Sequence, residues 1–362
     1  MFKKLKEYNL LISSFLILLP LLSLIVLPLY IINNGIVWQE PVILAVGWIL
    51  SGLGITVGYH RLFAHRSFKS HYLIEWLLML YGTMAIQNTI LNWCSDHRVH
   101  HKKLDTEDDP YSIKKGFFHA HMGWIMKNNV TLIKGVKDLQ AKKSVVFQDK
   151  YYWIIAILLS FVFPLLIGSL YGRPWGGLIW GGIVRVTLVH HFTWFINSLC
   201  HYIGEKKYDL NTSARDSWVM AILTFGEGYH NFHHKFQWDY RNGIKWYNFD
   251  PSKWFIKILS IFRMAYDLKQ AKEYRILKAQ INTINENIKS CSNNFLVDYK
   301  RVTQKALFRI QYWEKMEKKY NSFSDLNDYK LLVYKNKCRV IKLKIYNSIN
   351  TLELMLLKCK RA

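Results

Sequence analysis

Apolar and polar residues are sorted along the chain into blocks. Residues 9–32, 41–59 and 152–170 contain no charged side chain, and 176–200 contain a single Arg. As helices rising 1.5 Å per residue, each covers the roughly 30 Å of a bilayer's hydrocarbon core. Pro20, Pro28 and Pro164 are compatible with spanning helices, whose freed backbone groups can be satisfied locally. The links 33–40 and 171–175 carry no cation and one Arg respectively, whereas 61–150 carries fourteen Lys and Arg and the first eight residues carry three. The positive-inside rule then places both termini and the 61–150 segment in the cytosol. The expected fold is an all-α integral membrane protein with four transmembrane helices in two hairpins and a cytosolic helical cap.

Residues 72–93 are apolar but broken by Glu75, Gly82, Gln87, Asn88 and Asn92. This stretch is expected at the membrane interface or inside the cytosolic part. After Pro251 there is neither Pro nor Gly, and 269–362 holds 21 Lys and Arg against 8 Asp and Glu. Apolar residues recur there at loose helical spacing, as in helices lying on anionic lipid or packed on a partner. The chain divides into a membrane domain over 1–262 and a basic helical extension over 263–362.

Composition narrows the class. A 362-residue chain that is 51% hydrophobic and 15% aromatic is not intrinsically disordered. A net charge of +24 on a soluble protein would suggest nucleic acid, but its placement here argues for a membrane surface and against that partner. Cys94, Cys200, Cys291, Cys338 and Cys359 are scattered and odd in number, so neither a disulfide framework nor a zinc knuckle is indicated. No small-residue cleavage site follows the first apolar run, which therefore reads as a retained anchor.

All fourteen histidines lie between residues 60 and 234. They fall into His60 and His65, the box His97, His100 and His101, then His201, and the box His230, His233 and His234. The HxxHH pattern occurs twice, and positions i, i+3 and i+4 share a helix face, so three imidazoles of each box are expected to point into one volume. Nine convergent imidazoles exceed what one ion needs and suit a di-metal site in the cytosolic cap. Imidazole binds Zn, Cu, Fe and Ni alike, so ligand type alone leaves the metal open. Asp96, Asp105, Asp109, Asp216 and Glu227 are candidate carboxylate partners for the outer ring nitrogens. His71, His119, His121, His190 and His191 fall outside the pattern and read as structural. A metal carrier or sensor is a further reading, but a transporter should hold its ligands at mid-membrane, not at the cytosolic edge.

From about residue 41 to 262 the sequence resembles the membrane fatty acyl-CoA desaturases of the stearoyl-CoA (Δ9) type. The motifs are HRLFAH, NWCSDHRVHH, KKGFFHAHMGW, the stretch from Arg185 to NSLCH, and GEGYHNFHHKFQWDYRNGIKWYNFDPSKW. The resemblance implies two iron ions, fatty acyl-CoA and O2 as substrates, and electrons from a cytochrome b5-like donor with its reductase. It assigns His60, His65, His97, His101 and His233 to a first iron. His100, His201, His230 and His234 go to a second, with Asn197 reaching that ion through water. Asn197 and His201 are four residues apart, one helical turn, so they are expected to share a face as that role requires. The resemblance also implies a bent acyl tunnel bordered by Gln87, Trp93 and Thr193, and CoA contacts at Asn88 and Asp96. Trp48, twelve residues before His60, is a candidate cap on the tunnel's end.

The match departs at the CoA end. Ser95, Asn128 and Asn129 stand where the family has basic side chains, which moves phosphate contacts to Lys102, Lys103, Lys127 or the tail, or points to another acyl carrier or a related hydroxylase. No His-Pro-Gly-Gly motif of a fused cytochrome b5 is present, so a separate donor is implied. Endoplasmic reticulum or bacterial plasma membrane both suit this topology.

Overall fold

The computed structural model describes residues 7–127, 133–289, 296–321 and 328–361. Apart from a two-residue antiparallel ladder, β1 (Lys69–Ser70) against β2 (Ala265–Tyr266), the described structure is helical. Contacts divide it into one compact unit of Met1–Gly204 with Thr212–Gln270 and another of Glu205–Asn211 with Ala271–Ala362.

In the larger unit, α1 (Leu10–Asn34) starts where the Asn9 side chain accepts the Ile12 N–H at 3.1 Å. It stops at Gly35, whose φ of +66° suits a residue without Cβ. Next come α2 (Gln39–Leu53) and, without a break, a π-helical run Gly54–Ala64. Its early part packs against α3 (Tyr72–Thr83) so closely that a Cβ on Gly54 would overlap the backbone of Tyr81 and Gly82. α4 (Ile90–Lys103) begins with Thr89 capping the Asn92 N–H. α5 (Lys143–Ile157) runs on through Leu158–Val162 to Leu170.

Among the described residues three helices are long and apolar enough to cross a membrane: Leu10–Asn34, Gln39–Ala64 and Lys143–Leu170. The fourth expected span forms a contiguous helix from Pro174 through a π turn into α6 (Arg185–Asn197), but it is not among those three. Arg185, His190, His191 and four glycines dilute its apolarity. The second span also runs on to Ala64, past the expected end at 59. Residues 72–93 split into α3, a turn and the start of α4, and α3 has only 12 residues, too few to cross.

That turn is non-helical backbone, buried at Met84 and Ala85 and opening to an exposed Asn88, with positive φ at Ile86 and Asn88. Its carbonyls need donors. Arg185 donates to Met84 O at 2.9 Å and Ser160 to the same oxygen at 2.9 Å, while His190 Nε2 donates to Ala85 O at 2.8 Å. The Asn88 N–H is taken by Tyr152 Oη at 2.8 Å. The buried charge of Arg185 thus serves backbone satisfaction.

The smaller unit is a helical bundle of its own. The helices over Glu273–Lys289, Leu296–Asn321 and Asp328–Arg361 close on a core that includes Leu277, Ile281, Tyr299, Ile310, Ile345 and Leu352. The apolar faces expected to lie on lipid or a partner are therefore used at least partly within the bundle. Cys94, Cys200 and Cys338 are free thiols, but Cys359 is disulfide-bonded, contrary to the expectation from cysteine spacing.

Gly54→Val forces a branched side chain into the contact with Tyr81 and Gly82. Overpacking of this kind costs about 1–3 kcal/mol or more. The melting temperature in detergent is expected to fall well below wild type.

Candidate metal centre

Local backbone choices decide which imidazoles meet. On an α-helix His60 and His65, five residues apart, would diverge by about 140°. The π-helical run instead closes an i to i+5 bond, His65 N–H to His60 O at 3.0 Å, and brings both rings to one side. α4 carries His97, His100 and His101. The short helix His230–Lys235, which we label α7, carries the second box, and His201 lies on the 3-10 turn Leu199–His201.

The nine rings form two groups. Ring nitrogens of His60, His65, His97, His101 and His233 lie within 4.8 Å of one another, as do those of His100, His201, His230 and His234. Each HxxHH box therefore divides, contrary to the expectation of one shared volume. Its i and i+4 members serve one cluster and its i+3 member reaches across to the other.

The spacing within each group is regular. Nε2–Nε2 distances are 3.1 Å for His60–His65, 2.8 Å for His65–His97, 3.1 Å for His60–His233 and 3.0 Å for His101–His233. In the second group His201–His230 and His230–His234 are both 3.0 Å. Two nitrogens bound at right angles to one ion, each about 2.1 Å from it, would be about 3 Å apart. The donor sets fit one ion each.

Four of the outer nitrogens lie beside a polar side chain. His60 Nδ1 lies 3.0 Å from Glu227 Oε2, and His100 Nδ1 lies 2.8 Å from Asp109 Oδ1. His201 Nδ1 meets Ser213 Oγ at 2.7 Å, and that hydroxyl in turn meets Asp105. His97 Nδ1 meets Tyr111 Oη at 3.0 Å. A carboxylate beside Nδ1 keeps the proton there, so Nε2 presents its lone pair inward. Glu227 is itself gripped by Arg61, which also binds Asp250 at 2.9 Å and Tyr240 O at 2.7 Å. Burial alone would raise the Glu227 carboxyl, but His60 and Arg61 together hold it below its ordinary value.

Of the proposed carboxylates, Glu227 and Asp109 face rings directly, and Asp105 acts through Ser213. Asp216 instead accepts the Phe232 N–H at 3.0 Å and secures the start of α7. Tyr111, Ser213 and Arg61 were missed by sequence reasoning. Tyr111 and Ser213 lie in loops outside any His spacing, and Arg61, inside the HRLFAH motif, acts on the rings only through Glu227, which the fold brings to it. His121 and His191 pair with each other at 3.0 Å, outside both clusters.

Residues 36–257 match the Fatty acid desaturase family. The chain belongs to this family. It is 44% identical over 232 residues to the probable acyl-CoA desaturase of Schizosaccharomyces pombe, covering 63% of this chain and 48% of that protein. It is 39% identical over 245 residues to acyl-CoA desaturase 1 of Saccharomyces cerevisiae, covering 67% and 48%. The sn-1 stearoyl-lipid 9-desaturase of Anabaena variabilis is 36% identical over 233 residues, covering 64% and 84%. The chain thus spans about half the length of the two yeast relatives.

The residues that family resemblance assigns to substrate lie as follows in this desaturase-family chain. Gln87 Nε2 donates to Thr193 Oγ1 at 2.9 Å. Trp93 stacks on His97 at 4.9 Å between ring centres. Asn88 accepts from the Thr89 N–H and Asn92 at the α4 N-terminus, while Asp96 is half-buried and burial pushes its carboxyl up to about 7. Trp48 packs against Phe192 and Phe225 and lines a narrow cavity with Gly52, Thr56, Val189 and Thr193. Ser95 is buried and accepts the Lys134 N–H, Lys102 and Lys103 are exposed, and Asn128 and Asn129 lie outside the described residues. α6 ends at Asn197, and Ser198 turns the chain before His201, so these two do not share one helix face as expected.

Burial first, then repulsion from neighbouring imidazoles, holds His65, His97, His101, His230, His233 and His234 well below the ordinary histidine range. Protons therefore compete with metal only below that range. Protein loaded with metal and dialysed across a pH series is expected to keep its metal at pH 6, read by elemental analysis; half-loss at about pH 6.5 or above would contradict this.

Proposed function

We propose that the chain is an O2-dependent acyl desaturase that forms a cis-Δ9 double bond in a saturated long-chain acyl-CoA, stearoyl or palmitoyl. The observation that carries this reading is the pair of imidazole clusters, each with the spacing of one ion's ligands, in a chain of the desaturase family. We assign an iron to each cluster: one to His60, His65, His97, His101 and His233, the other to His100, His201, His230 and His234 with Asn197 through water. A bound iron pair supplies O2 activation and the oxidising power to remove unactivated C–H hydrogens, which no side chain provides.

The protein's part is placement. Gln87 and Thr193 tie the turn before α4 to α6, and Trp93 lies against His97, so an acyl chain lodged along this wall is bent and held with two adjacent carbons beside the clusters. Asn88 and Asp96 sit on the α4 side, where a polar carrier would lie, and Trp48 closes the far end. The acyl group loses two hydrogens; O2, with those hydrogens, two electrons and two protons, leaves as two waters. The electrons come from a cytochrome b5-like donor and its reductase.

The topology we assign is four spans in two hairpins, with both termini and the metal centre cytosolic, in the endoplasmic reticulum of a eukaryote or the plasma membrane of a bacterium. Arg173 supports this. It binds Glu40 at 2.9 Å, Tyr30 Oη at 3.0 Å, Asn34 O at 3.0 Å and Gly35 O at 2.9 Å, and so joins the two short links at one end of the helices. Residues 1–262 form the desaturase domain and 263–362 an extension.

A second reading keeps the chemistry but changes the carrier. Ser95 in place of a cation, and the relative named for a stearoyl-lipid, favour a lipid-linked acyl group. Iron-loaded protein in proteoliposomes with cytochrome b5 and its reductase is expected to convert stearoyl-CoA and palmitoyl-CoA to monounsaturated products only with O2. Desaturation confined to lipid-bound chains supports the second reading, and product-free reactions on both carriers reject the desaturase assignment. Trp48→Ala, which opens the closed end, is expected to shift preference toward longer chains by gas chromatography of products; an unchanged profile rejects the cap.

A further inference from the structure

We propose that Trp124 and Tyr111 form the path by which single electrons pass from a docked carrier protein to both metal sites. The inference rests on the redox iron centre proposed above.

No ring of either cluster is openly exposed: His60, His97, His100, His201, His230 and His233 are each at most 8% exposed, and His65, His101 and His234 are half-buried. Tyr111 bridges the two groups: its hydroxyl meets His97 Nδ1 of the first at 3.0 Å, and its ring stacks on His100 of the second at 4.3 Å between centres. On its outer side lies Trp124, with ring centres 4.9 Å apart. Tyr111 is buried, whereas Trp124 is half-buried. Trp93, also half-buried, stacks on His97 as well, but its further ring contact runs inward, to the fully buried Tyr59 at 5.9 Å.

Electron transfer through protein weakens steeply with distance, so closely spaced conjugated rings make the favoured route from surface to metal. The surface beside this route is shaped for a partner. Phe117 and Phe118 are 44% and 61% exposed, and Lys114 and Lys115 are exposed next to them. Exposed apolar side chains flanked by cations suit a one-electron carrier with carboxylates around its redox group. In each transfer the carrier loses one electron and one iron goes from ferric to ferrous. Both rings end unchanged, and two transfers supply the two electrons of one turnover.

The test mixes full-length, iron-loaded protein with reduced cytochrome b5 in the absence of O2 and acyl substrate. Ferric-to-ferrous conversion is followed by freeze-quench Mössbauer spectroscopy, and carrier affinity is titrated separately on the apo-protein. Trp124→Leu is expected to slow iron reduction at saturating carrier by about tenfold or more, with iron content and carrier affinity unchanged, and Trp124→Phe to fall between it and wild type. A merely structural role would change iron content or melting and leave the rate per iron alone. Rates per iron within about twofold of wild type in Trp124→Leu overturn the path. If that variant does not accumulate, Trp124→Phe decides, because benzene is far harder to oxidise than indole: a rate equal to wild type overturns the path. Failure of wild-type iron to accept electrons at all would instead overturn the redox reading on which the path rests.

Discussion

The structure turns on nine imidazoles gathered into two clusters, in which inner nitrogens of neighbouring rings face one another at about hydrogen-bond distance. Glu227 and Asp109 hold protons on the outer nitrogens of His60 and His100, so the inner nitrogens carry lone pairs. His60 Nε2 lies 3.1 Å from both His65 Nε2 and His233 Nε2. Such an arrangement is repulsive unless a cation sits among the rings. Protonation does not relieve it at His65, His97, His101, His230, His233 and His234, where burial and then the neighbouring imidazoles disfavour the charged form. Holding these rings together without a metal must therefore be done by the scaffold, and much of the larger unit serves that end.

The support reaches outward in layers. Arg61 keeps Glu227 charged and fixed, Asp250 keeps Arg61 charged, and Asn242 donates to Glu227 from the opposite side. A buried ion pair network like this is a poor source of net stability, since desolvation offsets much of the attraction. Its value lies in fixing where His60 points. The π-helical run has the same character. Its hydrogen-bond pattern is less favourable than an α-helix, but it is the geometry that lets residues five apart share a face. The turn between α3 and α4 is likewise held by side chains, Arg185, Ser160 and His190, that serve its backbone carbonyls.

Much of this was legible in the sequence because it depends on residue type and spacing. Uncharged runs mark helices that can cross a membrane, and the grouping of nine histidines marks the metal centre. What the sequence does not show depends on helix geometry and on loops. An α-helical reading of HxxHH sends all three rings one way, whereas the fold divides each box between two clusters. The same reading carries α6 through His201, although the chain turns at Ser198. Tyr111 and Ser213 approach the rings from loops with no periodicity to announce them, and Arg61 looks like one more cytosolic cation until its carboxylate partners arrive from residues 227 and 250.

X-ray absorption at the metal edge, combined with elemental analysis of fully active protein, tests the two-cluster account most directly. The account predicts two transition-metal ions per chain, each surrounded by imidazole nitrogens at about 2.1 Å and by no sulfur. A single ion per active chain, or a shell dominated by carboxylate oxygen or thiolate, would contradict it.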